Sequence, residues 1–156
     1  MTSHMNLAAL LAAMAMTTPA SADTNADIAV RWGLPGVWRN DCAKRPSREE
    51  VTFRYIVRSG RLLLEREFGD GKHASAVTYA DLTDDGSLEL TIAFPAPEGP
   101  GLETRVLVLK RLNASQLLVW SSRTIGTDQY TIKDGQFTDA NPARPLLTRC
   151  SKYGDN

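Results

Sequence analysis

From Val51 onward the chain alternates. Val51, Phe53, Tyr55 and Val57 fall on one side of an extended segment. Thr52, Arg54 and Arg58 fall on the other, with Ile56 out of phase. A period of two predicts a half-buried strand. Ser59-Gly60 supplies a tight hairpin turn, because glycine tolerates positive φ. Arg61 to Phe68 runs back, with Leu62, Leu64 and Phe68 on one face, Arg66 among them, and Glu65 and Glu67 opposite. Gly69-Asp70-Gly71 ends that strand. Ala74 to Leu82 follows, with Val77 and Tyr79 on one side, and turns at Asp84-Asp85-Gly86-Ser87. Leu88 to Phe94 alternates most cleanly: Leu88, Leu90, Ile92 and Phe94 inward, Glu89 and Thr91 outward. Prolines and glycines from Pro95 to Gly101 exclude regular structure there. Glu103 to Leu112 is again a strand, but Val106 to Leu109 is continuously apolar, so its register stays open. Gln116 to Arg123 carries Trp120, and Gln129 to Lys133 is predicted to point Tyr130 and Ile132 inward. Leu146 to Cys150 docks back on the body.

Before this region, Leu34-Pro35-Gly36 is a turn signal and Val37 to Asp41 reads as the first strand. Asp27 to Trp32 forms either one helical turn or an extended arm. The count reaches about eight strands joined by short hairpins. No long helical pattern separates them, so parallel βαβ units are not expected. The fold expected is all-β: a single antiparallel up-and-down barrel of about eight strands, whose closure removes exposed edges. A two-sheet sandwich is the alternative.

The first 22 residues are read apart from the fold. Met1-Thr-Ser-His-Met5 looks like the remnant of an expression vector. Leu7 to Met16 is a short apolar run ending at the small-x-small pattern Ala20-Ser21-Ala22. This predicts a secretory signal peptide cut after Ala22, although no Lys or Arg precedes the run; an alanine-rich native helix is the alternative. The run is too short to span a bilayer, so the chain is not expected to be transmembrane. Residues 23–156 then form one domain, periplasmic or secreted. Cys42 and Cys150 are an even pair in an exported chain, which suggests one disulfide closing the barrel end to end. Two buried thiols are the other reading.

Gly36-Val37-Trp38 opens the first strand, and Arg149 stands beside Cys150 near the chain end. This resembles the Gly-x-Trp motif of the lipocalins, calycin-type β-barrels. The resemblance implies that Trp38 closes one end of the barrel and that Arg149 packs across it. It also implies an interior open to a ligand. The chain is similar as well to small exported bacterial barrels, and in shape to the barrel that inhibits secreted alkaline proteinases. The disulfide of that inhibitor lies near its N-terminus rather than joining the ends.

Composition narrows the function. Eighteen Lys and Arg balance eighteen Asp and Glu, which argues against a dedicated nucleic-acid binder. Basic residues gather between Arg31 and Arg61 and acidic ones between residues 62 and 103. Arg54 and Arg58 are expected to face Glu65 and Glu67 across the hairpin and offset them. His73 is the single histidine after the leader. With Ser75 nearby it does not make a triad, since a triad needs a histidine oriented by a carboxylate against a nucleophile. Ser121-Ser122 lacks a nucleophile-elbow frame. Asp81, Asp84 and Asp85 lack calcium-loop spacing, and one histidine cannot build a zinc site. Neither an enzyme, a metal nor a cofactor is expected.

The interior is the remaining lead. Phe53, Tyr55, Leu64, Arg66, Tyr79, Phe94, Trp120 and Tyr130 are predicted to line a site for a small apolar or amphipathic ligand. Arg66 is the odd member of an apolar row, and an inward arginine must be paired or wet. It is expected to receive an anionic group of the ligand, or otherwise to snorkel at the mouth or pair with an inward carboxylate. The alternative function is a protein-binding module, such as an inhibitor of a secreted protease or lysozyme. Loops 44–47, 69–72 and 95–101 would then carry it.

Overall fold

A computed structural model describes residues 23–96, 99–127 and 129–151. The apolar leader with its cleavage pattern, and Pro97 and Glu98 of the proline-rich loop, lie outside the described residues. The chain runs α1 (Asn25–Trp32), β1 (Gly36–Arg39), β2 (Thr52–Arg58), β3 (Arg61–Glu67), β4 (Lys72–Leu82), β5 (Leu88–Pro95), β6 (Leu102–Asn113), β7 (Gln116–Thr124), β8 (Tyr130–Lys133), β9 (Gln136–Phe137) and β10 (Leu146–Cys150). All pairings are antiparallel, in the order β10-β1-β2-β3-β4-β5-β6-β7-β8-β9, and β10 also pairs with β7. That last pairing closes an eight-stranded barrel from β1–β7 and β10.

The eighth barrel strand is therefore Leu146–Cys150, not Gln129–Lys133 as expected. β7 divides its length: Gln116 to Leu118 pair with β10, while Ser122 and Arg123 pair with β8. The β8–β9 hairpin thus continues the wall past Leu146, the first residue of β10. Its turn has φ of 52° at Asp134 and 71° at Gly135, the both-positive turn that matches strand twist. A Cβ on Gly135 would come within 2.9 Å of Leu118, so glycine lets the turn rest on β7.

One end of the barrel is plugged. Thr24 caps α1 in a reciprocal capping box with Asp27, and Gly33 ends it in the left-handed conformation. The helix buries Ala26, Ala29 and Trp32, which recur every third residue and so share one face. The end of the helix and the Leu34 that follows sit over the core of Leu62, Leu88, Leu109 and Leu117. Trp38 is 2% exposed and donates to the Leu34 carbonyl at 2.8 Å. The Arg149 guanidinium lies 4.4 Å from its ring centre and donates to the carbonyls of Pro35, at 2.9 Å, and Gly33. Gly36 must be glycine here, because its φ is 150° and a Cβ would lie 2.7 Å from Arg149 Nη1. Arg111 repeats the arrangement over Trp32 at 4.5 Å. The contact of Trp38 with Arg149 is the one the lipocalin resemblance implied, and the barrel is calycin-like in architecture. Cys42 and Cys150 are joined in a disulfide with Cα atoms 5.5 Å apart, which ties the β1–β2 loop to the last strand.

Candidate functional site

Because neighbouring strands are antiparallel, the connections alternate between the two ends. The hairpins at 59–60, 83–87 and 114–115 lie at the helix end. The connections 40–51, 68–71, 96–101 and 125–129 lie at the other. At that open end is a cavity of about 360 Å³, within the range of small-molecule sites.

The predicted inward residues Phe53 and Tyr55 of β2, Leu64 and Arg66 of β3, and Phe94 of β5 all line it. Clean alternation and tight register place them: Phe53 pairs with Arg66 and Tyr55 with Leu64. β6 and β7 add Arg105, Leu107, Val119 and Ser122, and the hairpin adds Thr131, Ile132 and Phe137. Asn40, Arg48 and Glu49 stand at its edge, from the β1–β2 loop.

Three predicted members lie elsewhere, and each sits at a break in register. In β4 the pairing with β5 shifts between Val77 and Tyr79. The buried positions accordingly step from Val77 to Ala80, and Tyr79 is 44% exposed with its hydroxyl 3.1 Å from Asp81. In β7, Val108 pairs with Ser121 but Leu109 with Val119, so Trp120 is an extra residue. It turns outward under the Lys110 ammonium, 3.9 Å from its ring centre. Between β7 and β8 the register shifts again; Ile132 faces the cavity, while Tyr130 is 37% exposed with Lys133 over its ring. A bulge reverses which face later residues take, and hydropathy alone does not mark one. Val57, at the end of β2, is also exposed rather than inward.

The sequence reading missed two charged residues on the inner face. Ile92 pairs with Arg105 and Phe94 with Glu103. The inward side of β6 is therefore Glu103, Arg105, Leu107 and Leu109, not Val106 and Val108. The run Val106 to Leu109 suits either phase, which hid them. Glu103 forms a close salt bridge with Arg105.

Arg66 has no such partner among the described residues. Its guanidinium carbon lies 4.3 Å from the Phe94 ring centre and 5.4 Å from that of Phe68, and its Nε is buried without a hydrogen-bond acceptor. Burial, and after it the charge of Arg105, lowers the Arg66 pKa from its ordinary value. Tyr55 is 3% exposed, and burial holds its hydroxyl pKa well above the usual tyrosine value. The cavity is thus apolar in its walls and cationic at one point.

The other residues weighed for chemistry are dispersed. His73 pairs with Arg66 across β3 and β4, exposed at the rim, its ring 5.7 Å from Phe68. Ser75 is buried opposite Leu64. Asp85 accepts from Thr83 Oγ1 at 2.6 Å and Ser87 N at 3.1 Å and meets Lys110 at 3.3 Å. The Thr83 hydrogen bond foremost holds its carboxyl well below the usual range. Among the described residues no three His, Cys, Asp or Glu side chains gather as metal ligands, and no helix is long and apolar enough to cross a membrane. Much of the basic segment is offset locally: Arg58 with Glu65 at 3.2 Å, Lys44 with Glu50 at 2.9 Å, and Arg48 with Asp70 at 3.2 Å. Glu67 takes Lys72. Comparison with protein-family models, curated proteins and solved structures returned no match.

Proposed function

We propose that this barrel binds a small amphipathic molecule without transforming it, outside the cytoplasm. The observation that carries the reading is the cavity itself. About 360 Å³ lies between aromatic and aliphatic walls, with the Arg66 guanidinium inside and, among the described residues, no carboxylate bonded to it. Arg66 is half-buried, and a cation that gives up part of its hydration without a counter-ion pays for it. An anionic group on an otherwise apolar ligand would supply that counter-ion, with charge-assisted hydrogen bonds to a planar fork of donors. The disulfide supports the compartment, since such bonds persist where thiols are oxidised.

The test is native mass spectrometry of the oxidised protein purified from its own host. A co-purifying amphiphile of defined mass is expected, and Arg66→Leu should fold and lose it. A clean apo mass for the natural protein, with Arg66→Leu stable and no different in uptake of amphiphiles, would overturn the reading.

A second reading has its own observation. Loops 44–47 and 69–72 touch: the Pro46 carbonyl packs on Gly69, where a Cβ would come within 2.5 Å, and Arg48 bridges to Asp70. The loop from Pro95 to Gly101, closed by a hydrogen bond from Ala96 N to Gly101 O at 3.1 Å, lies at the same end. A ring of loops on a rigid barrel suits a protein partner, such as a secreted protease or lysozyme to be inhibited. Retained binding of such an enzyme by Arg66→Leu, and loss on replacing the loops, would favour it.

A further inference from the structure

The charges around the cavity can be counted. Arg66 and Arg105 face inward. Glu103 is bonded to Arg105, and Arg48 at the edge is bonded to Asp70. Glu49 adds one negative charge at the mouth, and His73 stands at the rim beside Arg66. Among the described residues this leaves one net positive charge inside, on Arg66. We infer that Glu103 sets the charge class of the ligand: by occupying Arg105, it makes the site select a singly charged carboxylate over a doubly charged phosphate ester.

This inference rests on the ligand-binding reading above. Without Glu103, two guanidiniums would flank Phe94, at 4.3 Å and 5.9 Å from its ring, and a dianion could neutralise both. With Glu103 in place, a dianion brings one charge more than the interior can offset. Its second charge would lie close to the half-buried Glu103, and like charges at short range repel. A carboxylate brings a single charge, and its planar pair of oxygens matches one guanidinium. The cavity also bounds the apolar part. At roughly 30 Å³ for each water-sized non-hydrogen atom, about 360 Å³ takes about a dozen such atoms, the size of decanoate.

The experiment is calorimetric titration of the oxidised protein with decanoate and with decyl phosphate, at pH 8, where the phosphate is close to doubly charged. The unmodified protein should bind decanoate at least about tenfold more tightly, the worth of one charge-assisted hydrogen bond. Glu103→Gln keeps shape and removes one charge. It should strengthen decyl phosphate by about tenfold and change decanoate much less. The double variant Glu103→Gln/Arg105→Gln restores the interior count and should restore the preference for decanoate. Equal binding of both probes, or a preference untouched by Glu103→Gln while Arg66→Gln weakens both, overturns the inference and leaves the binding reading standing. Failure of decanoate to bind the unmodified protein, or indifference to Arg66→Gln, overturns the binding reading and the inference with it. Should Glu103→Gln fail to fold, the preference of the unmodified protein and of the double variant still decides.

Discussion

Arg149 joins parts of the chain more than a hundred residues apart. It covers Trp38 and satisfies the carbonyls of Gly33 and Pro35, and so holds the helix-to-strand turn against the last strand. Replacing it with Ala loses a cation over an aromatic face and leaves two carbonyls short of a donor. A loss of about 2–4 kcal/mol in urea unfolding is expected. Tyr55 makes a different kind of demand. Burial raises its pKa above the ordinary 10.0, so the folded state keeps its proton where the unfolded chain gives it up. Its contribution is whole below pH 10 and declines as pH rises above that, by up to about 1.4 kcal/mol per pH unit. Tyr55→Phe should flatten the alkaline limb of a stability–pH curve measured by chemical unfolding.

One polar side chain bonds the helix to the backbone of β4. Asn25 donates to the Thr78 carbonyl at 3.0 Å and accepts from Ala80 N at 3.0 Å. These backbone groups lie on β4 beyond Ala76, where its pairing with β3 has ended. The helix that plugs the barrel is thereby held to the backbone on either side of Tyr79. Asn25→Ala should cost about 1–3 kcal/mol, the desolvation cost of a group left without a partner. It should also speed hydrogen exchange at the Ala80 amide more than at the Leu90 amide in the neighbouring strand. Unchanged exchange at Ala80 would mean that water replaces Asn25 and that this part of β4 holds itself.

Across the whole molecule, the ends of the domain are held by three devices on one ladder: β1–β10 pairing, the Trp38–Arg149 contact within it and the disulfide from Cys150. The bridge spans a sequence separation of 108, so in the chain-entropy account it restrains the unfolded chain by about 4–5 kcal/mol. Cys42→Ser/Cys150→Ser should therefore melt well below the oxidised protein. Its decanoate affinity at low temperature should be unchanged, because neither cysteine lines the cavity. A large loss of affinity would instead show that the bridge positions Asn40 and Arg48 at the mouth.

The amino-acid sequence by itself determined the all-β antiparallel class, the hairpin succession from β2 to β7 and the inner face of the best-alternating stretches. Thus Phe53, Tyr55, Leu64, Arg66 and Phe94 were legible as one lining. Each lies on a strand joined to a neighbour by a short turn, with apolar residues at alternate positions on its inner face. Gly36-Val37-Trp38 with Arg149 was legible as a closed end because the contact depends on residue types at two fixed places. Only the tertiary structure decided the rest. Tyr79, Trp120 and Tyr130 left the interior because one extra residue in a ladder turns the side chains that follow. Glu103 and Arg105 entered it because their strand has apolar residues in both phases, and pairing with Ile92 and Phe94 chose between them. The seam between β7 and β8 was hidden for a related reason: two short segments competed for one place beside β7, and the one that wins begins only at Leu146. Local pattern reports which residues favour burial. Register and closure, which depend on partners far away in the chain, decide which of them are granted it.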